Sequence, residues 1–308
     1  MTGRLQGVWP AATTPFDAAG EPNLPALEQH LRWMRRSGCA GVVVLGSLGE
    51  ASSLVRVEKE RIVRLGIRAS RSRLLVGISG GSTRESIRLA KLAERWGANG
   101  LMVLPPINYR GDREETRAHF ADVFESTALP CMLYNNPIAY GTDVSPRDVK
   151  SLARTHDNLV AVKESSGDLG RIGKLHSLLG DRVTLFVGLD DQILEGVAAG
   201  ARGWIAGLAN ALPRESVALF DLAIRGRRTE ARTLYRWFLP LLRLDRDPKL
   251  VQLVKLVQEE VGRGESRVRP PRRPLTGEEL REARSLIRRT LAARPVISVR
   301  QAAPQPRM

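Results

Sequence analysis

Three short stretches carry side chains that could do covalent chemistry together. In "LVAVKESSGD" (Leu159–Asp168), four apolar residues, Leu159 to Val162, lead into Lys163. A lysine there either snorkels to water just past a strand or is drawn inward. Burial favours its neutral, nucleophilic amine. In "PCMLYNNP" (Pro130–Pro137), Tyr134 ends another apolar run. It reads as a core tyrosine with a satisfied hydroxyl or as an apolar ring with an acid/base tip. In "GSLGE" (Gly46–Glu50), two glycines bracket Ser47 and Leu48, as in a tight turn or a turn that aims backbone N–H groups at a small anion. Combined, they describe a Schiff-base site. The amine condenses with a 2-keto acid, the phenol shuttles protons, and the Ser47–Leu48 turn holds the carboxylate. The resulting iminium is an electron sink, so a C3 proton becomes acidic and a C4 hydroxyl or the C3–C4 bond can break. "GLDD" (Gly188–Asp191) ends a further run and reads equally as a helix N-cap pair.

Such a site needs elements that bring strand ends together. Apolar runs at Gly41–Gly46, Arg73–Ser79, Gly100–Pro106, Pro130–Pro137, Leu159–Ser165, Val183–Gly188 and Ala201–Gly207, with a weaker one at Leu5–Phe16, read as buried strands. Segments with helical spacing separate them. In "STRESIRLAKLAERWG", Ser82 and Glu85 have capping-box spacing and Gly97 is a natural stop. Eight strands alternating with helices predict an α/β fold of the (β/α)8 TIM-barrel type, with chemistry at the strand carboxyl ends. An open doubly wound sheet would typically carry a glycine-rich loop after its first strand; "FDAAGEP" reads as a turn instead. Three further helical patterns follow Gly226: Arg228–Leu244, Pro248–Val261 and Thr276–Ala293. The expected organisation is a barrel over 1–226, a carboxyl-terminal helical appendage over 227–295 and a frayed tail over 296–308.

Composition narrows the classes. The chain has 308 residues and a net charge of +15. The segment from Arg263 to Met308 carries +8 of this, from twelve arginines and four glutamates. No aromatic-interleaved basic patch of the kind that stacks bases is present, so a basic surface favouring solubility and anionic substrates is expected rather than nucleic-acid binding. Cys39 and Cys131 show neither metal nor disulfide spacing and sit among apolar neighbours, which fits a reducing cytoplasm. No leader pattern opens the chain and no apolar run approaches a membrane span.

"GSLGE", "YNNP", "VKESSGD" and "GLDD", in this order and spacing, resemble the dihydrodipicolinate synthase/N-acetylneuraminate lyase superfamily from about Leu5 to about Ala293. The resemblance implies a (β/α)8 barrel with carboxyl-terminal helices, commonly a homotetramer, and a lysine Schiff base with pyruvate or another 2-keto acid. It makes Lys163 the Schiff-base residue and Tyr134 the proton shuttle. Ser47 and Leu48 would hold the substrate carboxylate, and Gly188 and Ile205 would line the pocket. No metal or organic cofactor is implied. Tyr109, in "PPINY", is either a further helper or a loop residue. Three positions depart from the synthase itself: Leu48 replaces a threonine, Ile107 a relay tyrosine and Ala139 an arginine for the second substrate. "PPINY", "YNNPIAYGTDVSP", "GLDDQILEGVAAGARGWIAGLAN", "YRWFLPLLRLD", "LVKLVQEEVGRG" and "RPPRRPL" resemble more closely a branch with 1-pyrroline-4-hydroxy-2-carboxylate deaminases and 2-keto-3-deoxy-sugar-acid dehydratases. Within it, Arg243 of "LLRLD" stands where the pattern has histidine. The implied reaction is dehydration and deamination of the hydroxypyrroline acid to 2-oxoglutarate semialdehyde. The alternatives are a sugar-acid dehydratase or aldolase, dihydrodipicolinate synthase, and a non-catalytic metabolite-binding barrel.

Overall fold

The structure, a computed structural model, describes residues 5–71 and 73–296. All but the first residue of the tail expected at 296–308 lies outside them. Eight strands alternate with helices: β1 (Gly7–Pro10), α1 (Leu24–Arg36), β2 (Val42–Val44), α2 (Arg56–Ser70), β3 (Leu74–Ile78), α3 (Thr83–Arg95), β4 (Gly100–Val103), α4 (Arg113–Glu125), β5 (Cys131–Asn135), then α5 (Pro137–Tyr140) and α6 (Pro146–Thr155). The chain continues through β6 (Leu159–Glu164), α7 (Gly170–Leu179), β7 (Thr184–Val187), α8 (Ile193–Ala198), β8 (Gly203–Ala206) and α9 (Pro213–Ile224). Each observed strand falls inside one of the apolar runs read from the sequence. These strands are buried along nearly their whole length, as a parallel sheet covered on both faces requires.

The strands form one parallel sheet in the order β1-β8-β7-β6-β5-β4-β3-β2. A parallel bridge between Ala11 and Val43 joins its two ends. There the Ala12 N–H donates to the Val43 carbonyl at 2.8 Å and the Ala40 N–H to the Val8 carbonyl at 2.9 Å. The sheet is therefore closed into a (β/α)8 barrel. The outer helices lie on it through apolar stripes. In α3, Leu89, Ala90, Leu92 and Ala93 are buried, and the Ser82 side chain caps the helix by accepting from the Glu85 N–H.

Three helices follow the barrel: α10 (Arg228–Leu242), α11 (Leu250–Glu260) and α12 (Gly277–Ala292). Of these, α11 is buried on every side from Val251 to Gln258. A helix buried all round belongs to an interior rather than a surface. Two of its polar side chains reach barrel loops: Thr13 Oγ1 donates to Gln258 Oε1 at 2.9 Å, and Lys255 Nζ donates to Glu50 Oε1 at 2.6 Å. The carboxyl-terminal helices thus form part of the wall at the mouth of the barrel.

Candidate active site

Parallel register places the two reactive side chains side by side. Tyr134 pairs with Lys163 between β5 and β6, and Lys163 pairs with Phe186 on β7. Alternation along β6 turns Lys163 into the barrel. Its neighbour Glu164 engages Asn135, at 3.1 Å, and Arg171, at 3.2 Å. Lys163 is only 7 % exposed, so the snorkelling reading does not hold. Its Nζ lies 3.7 Å from the centroid of the Tyr134 ring. Desolvation lowers the lysine pKa from its ordinary value, against the opposing pull of Asp245, Tyr140 and Asp190. A neutral amine is what attack on a carbonyl requires.

Tyr134 is buried beside it. Desolvation pushes its phenol up to about 12 despite hydrogen bonding from the Asn136 amide at 2.9 Å. The proton thus stays on the hydroxyl until a reacting group takes it. Tyr140, from α5, packs edge-on against Tyr134 with ring centroids 5.8 Å apart. Its hydroxyl lies 2.5 Å from Ser47 Oγ, and burial raises its pKa as well.

The "GSLGE" turn faces this pair. Leu45 and Glu50, both non-glycine, adopt left-handed backbone with φ of 58° and 52°; such strain gathers at functional loops and needs support from its surroundings. Gly77 on β3 is part of that support, because a Cβ there would stand 2.3 Å from the Leu45 carbonyl oxygen. Within the turn the Ser47 carbonyl accepts from the Glu50 N–H at 3.1 Å and the Gly46 carbonyl from the Ala51 N–H at 3.4 Å. Among the described residues neither the Ser47 nor the Leu48 N–H donates a backbone hydrogen bond. Glu50 is fully buried and holds the turn from behind. It accepts from Lys255 Nζ at 2.6 Å and from the Arg269 N–H at 3.0 Å. The Arg269 guanidinium also binds Glu58 at 2.7 Å and the Ser53 carbonyl at 2.9 Å. The "RPPRRP" segment, through Arg269, therefore braces the loop at the barrel mouth.

A cavity of about 720 Å³ opens between these groups. Ser47, Leu48, Tyr134, Lys163, Gly188 and Ile205 all line it. At Gly188 a Cβ would stand 2.0 Å from Ser165 Oγ and 2.8 Å from Lys163 Cε, so only glycine leaves room for the lysine stem. Tyr109 is the exception among the expected residues. It is 58 % exposed, lies outside the cavity and hydrogen-bonds Glu115 at 3.0 Å. Its loop turns it to solvent, as the loop-residue alternative expects.

Tyr140 and Asp245 are among the lining residues that the sequence reading did not single out. Tyr140 was part of a quoted motif, but nothing local pointed it at Ser47. Asp245 follows α10, two residues beyond the exposed Arg243. Its Oδ2 accepts from the Asp190 N–H at 3.0 Å. Asp190 in turn is fully buried and accepts from Trp204 Nε1 at 2.9 Å and from the N–H groups of Gly207 and Leu208 at 3.1 and 2.8 Å. The first aspartate of "GLDD" thus ties β7 to β8. The second, Asp191, pairs with Arg246 at 2.6 Å. Among the described residues no cluster of His, Cys, Asp and Glu suits a metal ion. No helix among them is long and apolar enough to cross a membrane. Cys39 and Cys131 are buried, and desolvation raises both thiol pKa values, Cys131 to about 12.

The family model for the dihydrodipicolinate synthetase family matches residues 4–290. The chain belongs to that family. It is a lyase of the lysine Schiff-base type that characterises the family. Among curated relatives it is similar to 4-hydroxy-tetrahydrodipicolinate synthase of Clostridium perfringens, 32% identical over 77% of this chain and 81% of the relative. Among solved structures it resembles the 4-hydroxy-tetrahydrodipicolinate synthase of the thermoacidophilic methanotroph Methylacidiphilum fumariolicum SolV. That likeness has a TM-score of 0.89 and 30% identity, covering 94% of this chain and 97% of the other. It also resembles YagE, a prophage protein of the same family from E. coli K12 solved in complex with pyruvate. There the TM-score is 0.88 and the identity 27%, covering 94% and 99% of the two chains.

Proposed function

We propose that this dihydrodipicolinate synthetase family enzyme removes the C4 hydroxyl from a small 4-hydroxylated 2-keto acid or its cyclic imine, with 1-pyrroline-4-hydroxy-2-carboxylate as the substrate that fits best. Lys163 forms the Schiff base at C2, Tyr134 carries protons, and the Ser47–Leu48 turn takes the carboxylate. The observation that carries this reading is the buried Lys163 amine 3.7 Å from the Tyr134 ring, inside a cavity that the "GSLGE" turn bounds. Loss of a C3 proton gives an enamine, and loss of the C4 hydroxyl follows. With the pyrroline acid, Lys163 displaces the ring nitrogen from C2 and leaves it as an amine on C5; after the elimination a proton moves from C5 to C3, which makes that amine an enamine. Its imine tautomer takes up water and releases ammonia, and a second water frees Lys163 and gives 2-oxoglutarate semialdehyde. 2-Keto-3-deoxy sugar acids would undergo the same elimination without ammonia.

Dihydrodipicolinate synthesis is the second reading, favoured by the names of the relatives. Against it stand Leu48, Ile107 and Ala139, the three departures from the synthase pattern, all of which line the cavity. They offer no hydroxyl relay and no cation for a second carboxylate. Exposed apolar side chains at Val55, Val57 and Leu169 support a homo-oligomer, a homotetramer by the family pattern, which sedimentation tests.

The deciding experiment has two parts. Borohydride with pyruvate should add one covalent adduct per chain, absent from Lys163→Ala. A panel of the pyrroline acid, 2-keto-3-deoxy acids and pyruvate with aspartate semialdehyde, read by ammonia and keto-acid formation, should show turnover with the 4-hydroxylated compounds. An adduct that survives Lys163→Ala sinks the Schiff-base assignment. Turnover confined to pyruvate with the semialdehyde replaces the elimination reading with the synthase one.

A further inference from the structure

Elimination of a hydroxyl needs an acid, because hydroxide is a poor leaving group and departs far more readily as water. The cavity is lined by several groups able to hold or release a proton: Tyr134, Tyr140, Lys163, Asp245 and Asp247. Lys163 is consumed in the Schiff base. The two phenols are poor acids, since burial raises both. Asp247 is exposed. Asp245 is the one lining carboxyl turned in among buried groups. Its Oδ2 accepts from the Asp190 N–H at 3.0 Å, and Oδ1 is its other oxygen. A methyl group placed on Gly207 would stand 3.8 Å from that Oδ1 and 3.3 Å from Leu48 Cδ1. Oδ1 therefore lies close to Gly207, just after β8, and to Leu48 of the "GSLGE" turn.

We propose that Asp245 is the catalytic acid of the elimination: its carboxyl donates the proton with which the C4 hydroxyl leaves as water. The assignment rests on the elimination reading above. In the Lys163 enamine, the nitrogen lone pair re-forms the C2 iminium and the C2–C3 pair becomes a C3–C4 double bond. The C4–O bond breaks, and the departing oxygen takes the Asp245 proton. One proton lost from C3 and the hydroxyl from C4 together make one water, so no oxidant or cofactor is required. The surroundings suit the role. Burial raises the Asp245 pKa above the ordinary carboxylate value. Burial, with the neighbouring Asp245, raises the Asp190 carboxyl as well, to about 8, so a proton is held between the two carboxyls, and Asp245 is the one of the pair that lines the cavity. This also gives the carboxyl-terminal helices a chemical task, since the turn after α10 delivers the acid.

The test compares two leaving groups in wild type and Asp245→Asn. Asparagine keeps an acceptor for the Asp190 N–H but has no acidic proton. A 4-hydroxy-2-keto acid is set against its 4-fluoro counterpart, because fluoride leaves without an acid. Expected in Asp245→Asn is a fall of about 100-fold in the ratio of water elimination to fluoride release, as general acids contribute on the order of 10²–10⁴. Borohydride trapping with pyruvate checks that Lys163 still condenses in the variant. An unchanged ratio, whether both rates persist or both fall together, overturns the assignment and leaves the elimination reading standing. A wild-type enzyme that traps pyruvate but eliminates neither group overturns the elimination reading, and the assignment with it.

Discussion

The hydroxyls of Ser47 and Tyr140 stand 2.5 Å apart although 93 residues separate them. One comes from the turn after β2 and the other from the one-turn helix after β5. Tyr140 also packs edge-on against Tyr134. Tyr134, Tyr140 and Ser47 therefore stand in a row from the lysine's neighbour to the "GSLGE" turn. The row is built within one chain, and Ile107 stands where the synthase pattern has its relay tyrosine.

Removing hydroxyls from this line should therefore cost turnover in order of distance from Lys163. Tyr134→Phe is expected to lower kcat on the order of 10²–10⁴-fold, the usual contribution of a positioned proton carrier. Tyr140→Phe should cost about tenfold. The double variant should be no slower than Tyr134→Phe, because residues that act as one unit are not additive. Steady-state kinetics on the three variants checks this; independent, multiplying losses would show that the hydroxyls do not form a relay.

Schiff-base formation should rise with pH. The neutral Lys163 amine is the reactive form, and desolvation lowers its pKa from 10.5. The rate should climb through that depressed value and level off below pH 10.5. Stability follows the same proton. Between the depressed and ordinary values the unfolded chain holds a proton that the folded chain lacks, so stability rises with pH across that window and is lowest below it. Lys163→Met should raise the melting temperature at neutral pH, by about 2–4 °C for each kcal/mol relieved in a chain of this size. Calorimetry against pH reads both effects.

At Gly188 the side chain itself is the obstacle. With a Cβ 2.0 Å from Ser165 Oγ and 2.8 Å from Lys163 Cε, Gly188→Ala must displace the lysine or the strand beneath it. Overpacking of this kind costs about 1–3 kcal/mol. Borohydride trapping with pyruvate should fall at least tenfold in a variant that remains folded by circular dichroism.

The brace behind "GSLGE" can be broken by removing Lys255. Lys255 and Glu50 are 1 % and 0 % exposed and lie 2.6 Å apart. Lys255→Met leaves the Glu50 carboxylate buried with its main partner gone, a change that costs about 3–5 kcal/mol. Glu50→Gln combined with Lys255→Met should recover much of this, because the uncompensated charge is then gone as well. Urea unfolding of the single and double variants measures the difference.

Much of the barrel was legible from the chain alone, and for a local reason. Strands covered on both faces must be continuous apolar runs, so β2 to β8 appear as such, and even the weaker first run contains β1. The alternating helices announce themselves by caps such as Ser82. Lys163 and Tyr134 were legible because each ends a run, and strand ends in a closed parallel barrel share one mouth. Tyr109 also stands beside such an end, but the loop after β4 has already turned outward there, to Glu115, in keeping with the loop-residue alternative.

The sequence by itself determined the elements, their order and the lysine and tyrosine that end adjacent strands, since these follow from local apolar pattern and strand alternation. The tertiary structure decided what surrounds them. Tyr140 on Ser47, Asp245 in the cavity, and Lys255 and Arg269 behind Glu50 join segments 55 to 219 residues apart, and no periodicity within a strand or helix encodes such meetings. The arginine-rich carboxyl-terminal segment makes the same point. Read alone it is charge; folded, it braces the turn that faces the lysine.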